Sequence, residues 1–154
     1  MADKVTAPKI RAMKGTGDKV VCVTAYDAYF GRLADESGVD LILVGDSLAN
    51  VVLGYSSTVP VTLEEIAHHV RAVRRGVNRA LLVADLPFGS YNSSVGQAVD
   101  SAVVLMKAGA EAVKLEGDYP EEIAAMVKAG IPVMGHVGMT PQSVNVFGGF
   151  RVQG

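Results

Sequence analysis

The chain has 154 residues, 49% hydrophobic and 19% charged, which suits one folded domain with a sizeable core and excludes a disordered composition. Its net charge of −2, with scattered basic residues, gives no electrostatic footing for nucleic acid or an anionic membrane. No apolar run is long enough to span a bilayer and the start lacks a signal-peptide pattern, so the expected location is cytoplasmic.

Residues 1–8 read as a flexible tail and 9–154 as one domain, opening with a short basic helix from Lys9 to Lys14. Lys19 to Ala25 is the first predicted strand, and its Cys22, the single cysteine, reads as a small core residue of a reducing compartment. Ala28 to Ser37 predicts a helix that buries Phe30, Leu33 and Ala34 and stops at Gly38. Val39 to Val44 is an apolar run without polar alternation, the pattern of a strand buried on both faces, as in a parallel sheet covered by helices.

A loop from Leu48 to Val61 follows, and then Thr62 and Glu65 form a capping box for a helix burying Leu63, Ile66, Val70 and Val73. Its basic group, Arg71, Arg74, Arg75 and Arg79, reads as a solvated face. A strand runs from Ala80 to Asp85. Ser94 caps a helix that buries Val95, Ala98, Val99, Ala102 and Leu105 and ends at Gly109. Ala112 to Glu116 is the fourth strand, Asp118 caps a short helix with Pro120 in its first turn, and Ile131 to Val137 is the fifth strand.

Strict alternation of strands and helices predicts a parallel sheet with right-handed crossovers. In such folds ligands bind beyond the carboxyl ends of the strands. Three strands end in carboxylates there: Asp46, Asp85 and Glu116. These are hard oxygen donors of the type that Mg²⁺ accepts, whereas no His/Cys cluster has zinc spacing. Lys114 shares a strand face with Glu116 and reads either as a cation for an anionic substrate or as a structural ion pair. His136 ends the fifth strand, and Ser47 adjoins Asp46; each reads as a substrate donor or as a local structural group. His68 and His69 read as surface residues of a helix.

Thr24-Ala-Tyr-Asp27, Val44-Gly-Asp-Ser47, Thr58-Val-Pro-Val-Thr62, Val83-Ala-Asp-Leu-Pro-Phe-Gly-Ser-Tyr91, Val113-Lys-Leu-Glu116, Gly135-His-Val-Gly138, Thr140-Pro-Gln-Ser-Val-Asn145 and Phe147 to Gly154 occur in this order. In these segments the chain resembles the ketopantoate hydroxymethyltransferase family. That resemblance implies an α/β fold of the (β/α)8 TIM-barrel type, of which about five βα units are present. It implies Mg²⁺ held by Asp46, Asp85 and Glu116, directly or through water, and a 2-oxo acid bound by Asp46, Ser47, Asp85, Lys114 and His136. It further implies 5,10-methylenetetrahydrofolate as one-carbon donor, a homo-oligomer, often a decamer, and a general base located beyond Gly154, so none is assigned here. Two other readings are a Mg²⁺-dependent barrel enzyme of the phosphoenolpyruvate mutase and isocitrate lyase group, and a non-catalytic barrel fragment.

Overall fold

The computed structural model describes residues 3–153. Thirteen elements follow in order: α1 (Ala7–Ala12), β1 (Cys22–Thr24), α2 (Ala28–Glu36), β2 (Leu41–Val44), α3 (Leu48–Val51), α4 (Leu63–Arg74), β3 (Leu81–Asp85), α5 (Val95–Ala108), β4 (Ala112–Glu116), α6 (Pro120–Lys128), β5 (Val133–His136), a 3₁₀ turn (Pro141–Ser143) and α7 (Val144–Phe147). The five strands form one sheet in the order β1-β2-β3-β4-β5, all parallel, so each strand pairs with its successor in sequence. This is the strand order of a barrel wall rather than of a doubly wound open sheet, whose order reverses at a switch point.

Alternation along the strands separates two apolar layers. Ile42, Val44, Leu82, Ala84, Val113 and Leu115 face outward into the main core, beneath α4 and α5. Leu41, Leu81, Val83 and Ala112 face inward and meet Val5, with Ala7 and Ile10 of α1 packed against them. Within the flexible tail expected over residues 1–8, the part from Lys4 onward is packed instead. Val5 is buried and its N–H donates to the Arg79 carbonyl at 2.8 Å, while Lys4 Nζ pairs with Glu111 at 2.7 Å. Met1 and Ala2 lie outside the described residues.

Further corrections follow from packing. Phe30 and Leu33 are 59% and 50% exposed, whereas α2 buries Gly31 and Asp35. The reason is a close backbone approach of α2 to the end of α4. A Cβ built on Gly31 would lie 3.1 Å from Val73, and one on Gly76 would overlap the Ala28 carbonyl oxygen and sit 2.8 Å from the Arg32 nitrogen. Cys22 is exposed rather than buried, because β1 has a neighbour on one side only. Arg74 and Arg79 are not free surface cations: Arg74 pairs with Glu111 at 3.3 Å and Arg79 approaches Asp40 at 3.9 Å. The span from Leu48 to Val61 contains the short helix α3, and α6 has Tyr119 at its N-cap with no side-chain cap from Asp118.

The expected capping box of Thr62 and Glu65 is present in both directions, and Ser94 accepts from the Gln97 N–H. Gly38 and Gly109 take φ of 85° and 118°, the left-handed conformation that ends a helix economically only with glycine. Gly76→Ala is expected to destabilise the chain by about 2–3 kcal/mol, since the methyl group meets helix backbone that cannot rotate away. A urea melt with an unshifted midpoint would show that α2 moves aside without cost.

Candidate active site

The carboxyl ends of β2 to β5 bring together Asp46, Asp85, Lys114, Glu116 and His136, five of the six predicted site residues, with Ser47 adjoining Asp46. Asp85, Glu116 and His136 are the last residues of their strands, and Asp46 follows β2 after Gly45. The register sets Lys114 beside Asp85 and Glu116 beside His136. Asp46, Asp85 and Glu116 are only 4%, 2% and 4% exposed, which is costly for ionised groups unless each is hydrogen-bonded or paired.

Their oxygens divide into two sets. One oxygen of each carboxylate is held from behind by a neutral N–H. Asp85 Oδ2 accepts from the Asp46 N–H at 2.9 Å, Asp46 Oδ2 from the Gln142 carboxamide at 2.8 Å, and Glu116 Oε2 from the Gln142 backbone N–H at 3.1 Å. The second oxygens point to cationic or protonated groups, or to none. Lys114 Nζ donates to Asp85 Oδ1 at 2.5 Å and lies 3.7 Å from Glu116 Oε1, while His136 Nδ1 donates to Glu116 Oε1 at 3.0 Å. Asp46 Oδ1 makes no hydrogen bond among the described residues. Because the Glu116 carboxylate accepts, the Nδ1 of His136 carries the proton.

Charge is unevenly matched here. Burial, and then the facing Asp85, push the Asp46 carboxyl above its usual range, against the pull of Gln142 and Lys114. Burial also pushes Asp85 up, with Lys114 opposing it. Burial works to lower the Lys114 ammonium, but Asp85, Glu116 and Asp46 outweigh it and hold the group above its ordinary value. Lys114 is therefore a cation across the neutral range. With three carboxylates against one ammonium, the cluster favours a further positive charge. Among the described residues no three His, Cys, Asp or Glu side chains already converge as a ligand set. The donor chemistry nevertheless fits a hard divalent cation, taken up through the outward oxygens directly or by way of water.

Ser47 is oriented by a residue that sequence reasoning left without a role. Its Oγ lies 2.7 Å from the Tyr26 hydroxyl, and the Tyr26 carbonyl accepts from His69 Nδ1 at 2.7 Å. His69 is thus half-buried and structural, while His68 is exposed as expected. Gln142 and Tyr91 were also missed. Tyr91 is fully buried, and its hydroxyl donates to Gln142 Oε1 at 2.6 Å. The only available signal was position: Gln142 lies in the turn that leaves the fifth strand at the same rim.

The family model described as ketopantoate hydroxymethyltransferase matches residues 4–154. The chain belongs to the ketopantoate hydroxymethyltransferase family. A relative from Thermotoga neapolitana, 3-methyl-2-oxobutanoate hydroxymethyltransferase, is 55% identical over 148 residues, 95% of this chain and 54% of that protein. The chain spans about half the length of the curated relatives it matches. Among solved structures, phosphonopyruvate hydrolase in complex with oxalate and Mg²⁺ superposes with a TM-score of 0.68 at 16% identity, covering 90% of this chain and 53% of that one. Phosphoenolpyruvate phosphomutase from Streptomyces platensis gives 0.65 at 17% identity, covering 84% and 53%. At such identity the likeness is one of fold, and it makes this hydroxymethyltransferase-family chain a partial α/β barrel.

Proposed function

We propose that this chain carries the metal and 2-oxo acid part of a site that transfers a hydroxymethyl group from 5,10-methylenetetrahydrofolate to 3-methyl-2-oxobutanoate, giving 2-dehydropantoate in pantothenate biosynthesis. The observation that supports it best is the gathering of Asp46, Asp85, Lys114, Glu116 and His136 at one rim in a chain of this family. Asp46, Asp85 and Glu116 hold Mg²⁺ in this reading. When bound, the metal supplies electrophilic stabilisation for the negative charge that builds on the keto oxygen as the C3 proton leaves.

The chain's own residues orient and balance the substrate. Lys114, kept protonated by its neighbours, offsets the substrate carboxylate. Ser47, fixed through Tyr26, and His136, fixed through Glu116, offer hydrogen bonds to its oxygens. None of the rim carboxylates is assigned as the base, since in this reading all three hold the metal and a metal-holding carboxylate is a weak base. The proposed setting is the cytoplasm, and the proposed assembly, by resemblance to the family, is a homo-oligomer. Among the described residues no helix is long and apolar enough to cross a membrane.

Calorimetric titration of 3-methyl-2-oxobutanoate into the chain, with and without Mg²⁺, tests the reading. Binding only in the presence of the metal is expected. Lys114→Met is expected to weaken 2-oxo acid binding by at least about tenfold while leaving Mg²⁺ affinity undiminished, because removing a cation makes the cluster more negative. Equal losses of both would make Lys114 a structural ion-pair partner. A folded chain that binds neither would favour a non-catalytic barrel fragment.

A further inference from the structure

We propose that Gln142 is the positioning residue of the rim, clamping the rear oxygens of Asp46 and Glu116 so that their other oxygens are presented for Mg²⁺ at fixed separation. The inference rests on the metal reading of the preceding section and extends it to a residue outside the ligand set. Gln142 is 5% exposed and sits in the 3₁₀ turn after β5, yet it supplies two of the three rear clamps. Its Nε2 donates to Asp46 Oδ2 at 2.8 Å, across 96 residues of sequence, and to the Leu86 carbonyl at 3.0 Å. Its backbone N–H donates to Glu116 Oε2 at 3.1 Å, and its Oε1 accepts from the Tyr91 hydroxyl at 2.6 Å.

These partners fix the orientation of the amide. A carbonyl and a carboxylate can only accept, so the NH₂ group must face Leu86 and Asp46, and Oε1 must face Tyr91. Both protons of the NH₂ are used and the oxygen is engaged. A carboxamide satisfied on every side inside a buried site has one position, and it transmits that position to Asp46. The backbone N–H does the same for Glu116. One residue therefore couples the ends of β2 and β4, which are not neighbours in the sheet.

Cation discrimination is the property such a clamp controls. Mg²⁺ requires near-ideal octahedral geometry, whereas Ca²⁺ accepts variable numbers and placements of oxygens. Loosening Asp46 should therefore weaken Mg²⁺ selectively. The test titrates Mg²⁺ and, separately, Ca²⁺ into the parent chain and into Gln142→Met and Gln142→Asn, with circular dichroism confirming the fold. Methionine keeps the volume and donates nothing; asparagine keeps the amide but is one methylene too short to reach Asp46.

In both variants Mg²⁺ affinity is expected to fall by about 10- to 100-fold, the usual effect of losing a partner of a ligating group, while Ca²⁺ affinity changes by less than about threefold. Equal losses for the two cations, or no loss of either, overturn the inference and leave the proposed function standing. Such results would make Gln142 a packing residue. If Gln142→Met does not fold, Gln142→Asn is judged by the same ratio. Failure of the parent chain to bind Mg²⁺ is a separate result, which overturns the metal reading and this inference together.

Discussion

Asp85→Asn is expected to abolish Mg²⁺-dependent binding of 3-methyl-2-oxobutanoate while keeping the melting temperature within about 4 °C of the parent chain, roughly 1 kcal/mol. Asparagine retains an acceptor for the Asp46 N–H, which takes Asp85 Oδ2 at 2.9 Å, so that hydrogen bond survives, while its NH₂ replaces the oxygen that accepted from Lys114 and turns the ammonium toward Glu116. What disappears is the charge that pairs with Lys114. Losing one partner of a buried pair ordinarily costs several kcal/mol, but here Glu116 and Asp46 still face the ammonium. The substitution brings a cluster with excess negative charge closer to neutrality.

The sign of the pH linkage agrees. A carboxyl whose folded pKa is raised, as for Asp85, stabilises the fold below its unfolded value and loses that contribution as pH rises through the folded value. At neutral pH its ionisation works against stability, so removing it should not unfold the chain. Affinity that is unchanged with and without chelator would remove Asp85 from the site. A melting point lowered by much more than 4 °C would assign it a mainly structural role.

Asp35→Ala is expected to cost about 3 kcal/mol of stability at pH 7, or roughly 6–12 °C in melting temperature, without touching the rim. The Asp35 carboxylate, 8% exposed on α2, accepts the backbone N–H groups of Asn78 at 2.9 Å, Arg79 at 3.0 Å and Ala80 at 2.6 Å. It therefore ties α2 to the segment that leads into β3, and alanine would leave these donors without partners. Burial works against the charge of Asp35, but the N–H groups of Ala80, Asn78 and Arg79 outweigh it and hold the carboxyl below its ordinary range.

A depressed carboxyl stabilises above its unfolded pKa and loses that contribution as pH falls through the folded one. The gap in urea midpoint between parent and variant should accordingly be widest at neutral pH and narrow below the ordinary carboxylate range. A gap independent of pH would mean that packing, not the charge, is responsible.

Asp35 also shows where sequence reading stops. The chemistry at the strand ends was legible because a carboxylate that closes a buried apolar run is conspicuous locally, as at Asp46, Asp85 and Glu116. Thr62 with Glu65 and Ser94 with Gln97 were legible for the same reason: both partners lie within one helical turn. Asp35 and Gln142 act on groups 26 to 96 residues away, and no local pattern encodes such partners. The face of α2 was misread because close approach of backbone, rather than apolar content, decides which side is inward. Glycine at positions 31 and 76 makes that approach possible, and periodicity in hydrophobicity cannot report it.

The pairing of every strand with its successor has a consequence for how the sheet assembles. Cys22 pairs with Leu41, Leu41 with Leu81, Val83 with Ala112 and Val113 with Val133. The closure from β2 to β3 is thus about twice as long as those joining β1 to β2 and β4 to β5. Doubling a loop adds only about 0.6 kcal/mol of closure entropy, so no junction is a topological bottleneck. Each strand finds its partner in the strand just before it in sequence, so pairing can proceed strand by strand in the order in which the residues leave the ribosome.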